Sequence, residues 1–279
     1  MSCYICKNKK TSEVKGKVRD IPNLTILKCT SCGLVYLENF NHIGEHYYKN
    51  SEMNDYKSLE DYAKSCIDND LWRINKYKKL FRNKVILDFG SGLGGFIEGM
   101  LKYTTIYGCE IDPSWRKITS NISSWMYKNI NEVPDKRFDY ITLFHVLEHL
   151  KNPREILEKI APKLKKNGII IVEVPNSDDA LLTLYKCEAF QNFTYWGCHL
   201  YLFNQHNLER LIKQSGLKCS HIIQTQRYPL SNHMYWLAKG KPGGHKIWNC
   251  LDYNESNEWY ENKLAKIGKC DTLVALVKV

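Results

Sequence analysis

Three groups of residues in this chain have types and spacings that could do chemistry. Cys3-Tyr-Ile-Cys6 and Cys29-Thr-Ser-Cys32 are two Cys-x-x-Cys knuckles joined by a short polar and β-prone stretch, the spacing at which four thiolates enclose one tetrahedral Zn²⁺. Four ligands leave no open coordination position, so such an ion is structural; a redox pair or simply buried cysteines is the other reading. The second group is Val85-Ile-Leu-Asp-Phe-Gly-Ser-Gly-Leu-Gly-Gly-Phe96, an apolar run that ends in Asp88 and breaks into glycines, including Gly90 and Gly92. Backbone without Cβ can bend sharply and lie against a ligand. About twenty residues after Gly90, Ile106-Tyr-Gly-Cys-Glu110 ends in a carboxylate able to accept both hydroxyls of a ribose. The third group is His145-Val-Leu-Glu148-His149, followed later by Trp196-Gly-Cys-His199. Residues 145, 148 and 149 stand at i, i+3 and i+4 and share one face of a helix. His145 or His149 near its ordinary pKa can serve as a general base, with His199 holding the acceptor. Glu148, His149 and His199, with His145, could instead hold a divalent cation, and the plainest alternative makes Glu148 and His149 caps that anchor the helix before Asn152-Pro153.

These residues need a scaffold, and the pattern around them supplies it. The 85–96 stretch reads as strand, turn and helix start. Ile106-Tyr-Gly-Cys-Glu110, Phe138-Asp-Tyr-Ile-Thr-Leu-Phe144 and Gly168-Ile-Ile-Ile-Val-Glu-Val174 add further strands, giving a nucleoside site on an α/β sheet. Within 38–82, Leu59, Tyr62, Ala63, Cys66 and Ile67 recur at helical spacing, predicting one or two amphipathic helices. A capped helix is expected across 202–216, a strand across 218–226 and a closing strand over 272–279. The intervening 228–270 stretch is rich in aromatic and basic residues, including His233, Trp236, Lys241, His245 and Trp259. It reads either as a substrate lid or as a helical dimer contact. The expected organisation is therefore a zinc ribbon (1–37), a helical cap (38–82), a nucleoside-binding core (83–227), the insertion (228–270) and a closing strand (271–279).

Whole-chain composition adds bounds. With 279 residues there is one main domain plus small additions. No apolar run reaches membrane-spanning length and the first ten residues are too polar for a signal peptide, so a cytoplasmic protein is expected. Eleven cysteines in that compartment are metal ligands and small core residues rather than a disulfide framework. The formal charge of +10 suits an acidic partner, whether a phosphorylated metabolite, a nucleotide-linked sugar or RNA.

Leu-Asp-Phe-Gly-Ser-Gly-Leu-Gly (87–94), Gly-Cys-Glu-Ile-Asp-Pro (108–113), Phe-Asp-Tyr-Ile (138–141) and Leu-Lys-Lys-Asn-Gly (164–168) together resemble the ordered motifs of class I S-adenosylmethionine-dependent methyltransferases. Gly90, Gly92 and Gly95 also satisfy a dinucleotide-binding turn; the 138–175 segment, with its Glu-His-rich helix and Asn-Gly turn, is what resembles methyltransferases. The resemblance implies a Rossmann-like seven-stranded sheet with helices on both faces. Asp88, Gly90 and Gly92 would then line the methionine and ribose side of the cofactor, and Glu110, with Ile111 beside it, the ribose. Asn129 and Ile130 stand where the family has an acid and an apolar residue beside adenine; Asn departs from that pattern but its amide oxygen still accepts from the adenine amino group. Phe144 and His145 would pass beneath the sulfonium, and Tyr47, Tyr48 or Tyr56 would touch methionine or substrate from the cap. The His-Glu-His cluster also resembles the Glu-x-x-Glu-His helix plus downstream His of metal-dependent 2′-O-methyltransferases acting on small RNA, with His145 in place of the first Glu.

The paired knuckles, the Leu-Glu-His-Leu segment and the Val174-Pro-Asn-Ser-Asp178 loop are similar to those of bacterial enzymes that methylate sugars in surface-polysaccharide and secondary-metabolite pathways. O-methylation of a sugar, nucleotide-linked sugar or related small group is the expected reaction, with S-adenosylmethionine as donor and a structural Zn²⁺. The runner-up is an RNA methyltransferase. A third reading is a non-catalytic cofactor-binding protein whose ribbon contacts a partner. A homodimer is compatible with each.

Overall fold

The computed structural model describes residues 2–44, 47, 59–122 and 125–279, with the backbone alone for 59–65. Strands β1 (Thr11–Glu13), β2 (Ile26–Cys29) and β3 (Val35–Leu37) form an antiparallel ladder around the cysteine knuckles. Helix α1 (Leu59–Tyr77) follows, although Ile67, expected on its buried stripe, is exposed.

The chain then alternates: β4 (Val85–Phe89), α2 (Gly95–Met100), β5 (Thr105–Cys109), α3 (Pro113–Ile122), β6 (Met126–Tyr127), β7 (Phe138–Phe144), α4 (Pro153–Ile160) and β8 (Leu164–Pro175). Strands β4, β7 and β8 carry near-continuous apolar runs because central parallel strands are covered on both faces; Ile86, Leu87, Ile141, Leu143, Ile171 and Val172 are wholly buried. Proline at the first turn of α4 needs no amide partner there. Short α5 (Ala180–Thr183) and α6 (Glu188–Thr194) lead to β9 (Tyr201–Leu202). Helix α7 (Gln205–Gln214) begins in a reciprocal cap, in which Asn204 and Asn207 each accept from the other's backbone N–H. After β10 (Lys218–Thr225) the aromatic insertion forms α8 (Leu230–Lys239), α9 (Gly244–Ile247) and α10 (Asn254–Lys266), and β11 (Thr272–Lys278) closes the chain.

The main sheet has the expected seven strands, ordered β10-β11-β8-β7-β4-β5-β6. Strands β4 to β8 are mutually parallel and β11 runs antiparallel between β8 and β10. From β4 the chain moves outward to β5 and β6, then returns to β7 on the other side. The order therefore reverses between β4 and β7, and a crevice opens beyond the carboxyl ends of those two strands.

A second sheet, β1-β2-β3-β9, ties the cysteine module to this core. Val35 and Tyr36 of β3 pair with Leu202 and Tyr201 of β9, and one hydrophobic cluster runs from Ile5, Leu34 and Tyr36 to Leu87, Ile141 and Leu143. Among the described residues no helix is long and apolar enough to cross a membrane.

Candidate functional site

At the carboxyl end of β4 the backbone turns through Gly90 (φ +76°) and Gly92 (φ +56°), conformations open to residues without a Cβ. A Cβ on Gly90 would stand 2.5 Å from a methyl of Val146 in the loop after β7, so the two loops meet across the switch point. Glu110, at the end of β5, reaches back to this turn. Its carboxylate accepts the N–H of Gly92 at 2.8 Å and that of Asp112 at 2.9 Å, and burial raises its pKa. Ile111, Asn129, Ile130 and Phe144 line the same cavity, whose volume is about 720 Å³. Asn129 also caps the turn that follows it by accepting from Asn131 N–H. Asp88 is placed otherwise than expected. It does not line the cavity; its carboxylate accepts from Thr142 Oγ1 at 2.7 Å inside the sheet, because register pairs these residues on β4 and β7. Burial pushes it up to about 7.

Beyond β7 the backbone of His145 enters the left-handed region at φ +55°, uncommon for a residue with a Cβ. Leu147–His149 is a single 3₁₀ turn, not the helix whose one face would carry His145, Glu148 and His149 together. Glu148 consequently turns away from the cavity, is fully buried, and contacts His145 Nδ1 at 2.9 Å. Burial opposes its ionisation, but the imidazole holds the carboxyl down at about 2. The other ring nitrogen, Nε2, lies 2.5 Å from Arg227 Nη1 and 3.3 Å from Glu173 Oε1. A guanidinium only donates, which fixes the tautomer: Nδ1–H donates to Glu148 and Nε2 accepts from Arg227. Glu173 in turn accepts from Arg73 Nη2 at 2.7 Å and Nε at 3.1 Å.

His149 is arranged differently. Its Nδ1 lies 2.9 Å from the carbonyl oxygen of Cys198, so Nδ1 donates and Nε2 carries the lone pair. The ring meets His199 edge-on at 4.9 Å between centroids, and His199 meets Trp196 at 5.8 Å. Both imidazoles line the cavity. Burial lowers the pKa of His149, and burial with the neighbouring His149 brings His199 down to about 3; both rings are neutral at neutral pH. Cys198 Sγ lies with them, the three candidate donor atoms falling within 4.8 Å of one another.

A family model described as a methyltransferase domain matches residues 69–222. The chain belongs to this methyltransferase family. A ubiquinone biosynthesis O-methyltransferase of Coxiella burnetii is 27% identical over 165 residues, covering 54% of this chain and 70% of that one. A SAM-dependent methyltransferase from Archaeoglobus fulgidus superposes with a TM-score of 0.52 at 20% identity, covering 77% of this chain and 94% of that one. A Thermotoga maritima structure described as a possible histamine N-methyltransferase gives 0.53 at 17% identity, covering 79% and 95%. These two likenesses concern the fold.

S-adenosylmethionine is the methyl donor this family implies, and the residues present fit it: a glycine turn that a Cβ would obstruct, a buried carboxylate facing that turn, and a cavity of suitable size. Much of the methyltransferase's remaining cavity wall comes from four places. Phe190, Phe193, Trp196 and His199 belong to the segment before β9; Tyr228, Asn232, His233, Trp236 and His245 come from the insertion; and Arg19 comes from the cysteine module. From α1, Cys66, Asn69, Asp70 and Arg73 complete the enclosure. Tyr47 packs on His42 and is not part of the wall; Tyr48 and Tyr56 lie outside the described residues. Sequence reasoning missed Arg73, Glu173, Arg227, Arg19 and Cys198. Only Glu173 left a signal, as a lone acid within an apolar strand.

In the methyltransferase's N-terminal module, Cys3 and Cys32 sulfurs stand 3.5 Å apart and those of Cys6 and Cys29 3.4 Å, close to the roughly 3.8 Å edge of a tetrahedral zinc–thiolate site. The four sulfurs lie within 4.8 Å of one another, and the donor set suits Zn²⁺.

Proposed function

We propose that this methyltransferase transfers a methyl group to a hydroxyl of a small acceptor, a sugar or nucleotide-linked sugar, with Zn²⁺ held by Cys3, Cys6, Cys29 and Cys32 in a structural role. The supporting observation is the His149 imidazole, its Nδ1 held by the Cys198 carbonyl, lining one cavity with the glycine turn and Glu110. When bound, S-adenosylmethionine supplies a sulfonium methyl whose departure needs no acid. Gly90 and Gly92 would hold its methionine side, Glu110 and Ile111 its ribose and Asn129 and Ile130 its adenine, with Phe144 lining the same cavity. His149 would accept the acceptor's hydroxyl proton at Nε2. His199 orients the acceptor. His145, engaged at both ring nitrogens, is a positioning residue set by Glu148 and Arg227. Aromatic walls from Phe193, Trp196 and Trp236 suit the apolar face of a sugar ring.

One observation favours a second reading, in which the cluster holds a divalent ion that activates the hydroxyl: the close approach of His149, Cys198 and His199. The decisive experiment incubates methyl-labelled cofactor with fractionated cell extract, with and without chelator. Label in the phosphorylated and nucleotide-linked sugar fraction, unaffected by chelation, is expected. Label in RNA would overturn the acceptor, and chelation reversed by added metal would overturn the base. Cofactor binding with no transfer to any fraction would make this a non-catalytic binding protein.

A further inference from the structure

Helix α1 closes one side of the cavity, and its sequence seats it directly against the glycine turn. Asp70 and Ile74 stand four residues apart in α1, as Gly95 and Gly99 do in α2, so each pair shares one helix face. The two faces meet with no room to spare: a Cβ on Gly95 would collide with Asp70 Oδ2, and one on Gly99 with Ile74 Cδ1. Arg73, beside them, pins α1 to the sheet by donating to Glu173 at 2.7 and 3.1 Å, its guanidinium 5.0 Å from the centroid of Phe144. The Asp70 carboxylate is thereby held where the glycine turn enters α2, and both Asp70 and Gly95 line the cavity.

The carboxylates of the cavity wall are Asp70, Glu110, Asp179 and Asp271. Three of them accept from backbone: Glu110 from Gly92 and Asp112, Asp179 from Leu181 N–H at 2.7 Å, and Asp271 from the Arg227 and Tyr228 N–H groups at 3.0 and 2.9 Å. Asp70 is paired more loosely. Arg73 Nη1 stands 3.6 Å from Oδ1, longer than a hydrogen bond, because that guanidinium makes its short bonds to Glu173. Burial pushes the Asp70 carboxyl up to about 6, and a carboxylate has lone pairs for several donors. Asp88, expected on the methionine side, has turned into the sheet toward Thr142. The methionine end of S-adenosylmethionine carries an ammonium group, a cation with three donors. We propose that Asp70 is a cofactor-recognition residue whose carboxylate accepts from that ammonium, in the place that Asp88 leaves by turning inward. The inference rests on the glycine turn holding the methionine end of the cofactor.

The test titrates the full chain by calorimetry with S-adenosylhomocysteine, its desamino analogue, which has hydrogen in place of the ammonium, and its decarboxy analogue, which keeps the ammonium alone. Wild-type protein should bind S-adenosylhomocysteine about tenfold or more tightly than the desamino analogue, as expected for a charge-assisted pair. Asp70→Asn, which keeps the shape and loses the charge, should abolish that preference without weakening the desamino analogue. It should weaken the decarboxy analogue as much as S-adenosylhomocysteine, and Asp70→Glu should retain part of the preference. A preference that survives in Asp70→Asn overturns the proposal. Equal loss of all three ligands also overturns it, since Asp70 would then only hold α1 in place. Should Asp70→Asn not fold, Asp70→Ala is read by the same criteria, and failure of both makes the carboxylate a folding contact, which again overturns the proposal. Wild-type protein that binds S-adenosylhomocysteine and the desamino analogue equally overturns this inference alone; wild-type protein that binds none of the three overturns the cofactor reading with it.

Discussion

Glu110 and His149 carry the two ends of the proposed chemistry, and each can be tested alone. Two charge-assisted hydrogen bonds from a buried carboxylate, each worth about 1.5 to 3 kcal/mol, make Glu110→Ala about 10²-fold or more weaker for S-adenosylhomocysteine by calorimetry. Glu110 also holds the Gly92 N–H, so Glu110→Gln, which keeps one acceptor oxygen, should lose less. Wild-type affinity in Glu110→Ala would remove the ribose assignment. For His149 the base must be neutral to act, so activity is present above its pKa and lost as pH falls through it. Burial lowers that pKa, so the acid limb of kcat should lie below the ordinary histidine value of about 6.5. His149→Ala should cost about 10²-fold or more in kcat with cofactor affinity retained. A variant less heat-stable but equally active per folded molecule would instead make His149 a structural cap.

At the scale of elements, the parts legible in sequence were those whose determinants are local. The glycine turn, the acid ending β5, each single knuckle and the capped helix within 202–216 each fit within fifteen or so residues, and each formed. Contacts between distant segments were not legible: Arg73 meets Glu173 across 100 residues, and β3 finds its second partner, the fourth strand of that sheet, in β9. The Glu148 assignment failed for a subtler reason. Its spacing was right, but a helical face requires a helix, and a 3₁₀ turn entered through a left-handed His145 sends the carboxylate inward. The β3–β9 pairing and the bond in which Asp20 accepts the N–H of Gly197 also carry a prediction, because they connect the cysteine site to the wall bearing Trp196 and His199. Freshly purified protein should contain one zinc per chain. Cys29→Ser should expose the module to proteolysis and raise the acceptor KM several-fold while S-adenosylhomocysteine affinity holds, since the glycine turn and Glu110 belong to the other sheet. Equal loss of both affinities would show that the metal supports the whole core.

Across the whole molecule, buried titratable groups pull stability in opposite directions as pH falls. His233, nearly fully buried between Gln226 and Tyr260, has its pKa driven down to about 4 by burial, and His199 falls to about 3. Between about 6.5 and those values the unfolded chain binds protons that the native state refuses, so each ring costs stability on acidification. Asp88 acts oppositely. Burial holds it at about 7, so over the range from about 4 to 7 the native state binds the proton and gains as pH falls. The Arg73–Glu173 and His145–Glu148 pairs act only in stronger acid, because both carboxyls are held below their ordinary values. The pH dependence of the wild-type thermal midpoint sums these opposed shifts, and removing one contributor should tilt it. His233→Gln keeps a hydrogen-bonding group beside Tyr260 but cannot titrate, so its midpoint relative to wild type should rise as pH falls from 7 to 5. Asp88→Asn removes the opposing group and should shift the difference the other way. Parallel midpoint curves for wild type and both variants would mean that neither group changes its protonation on folding.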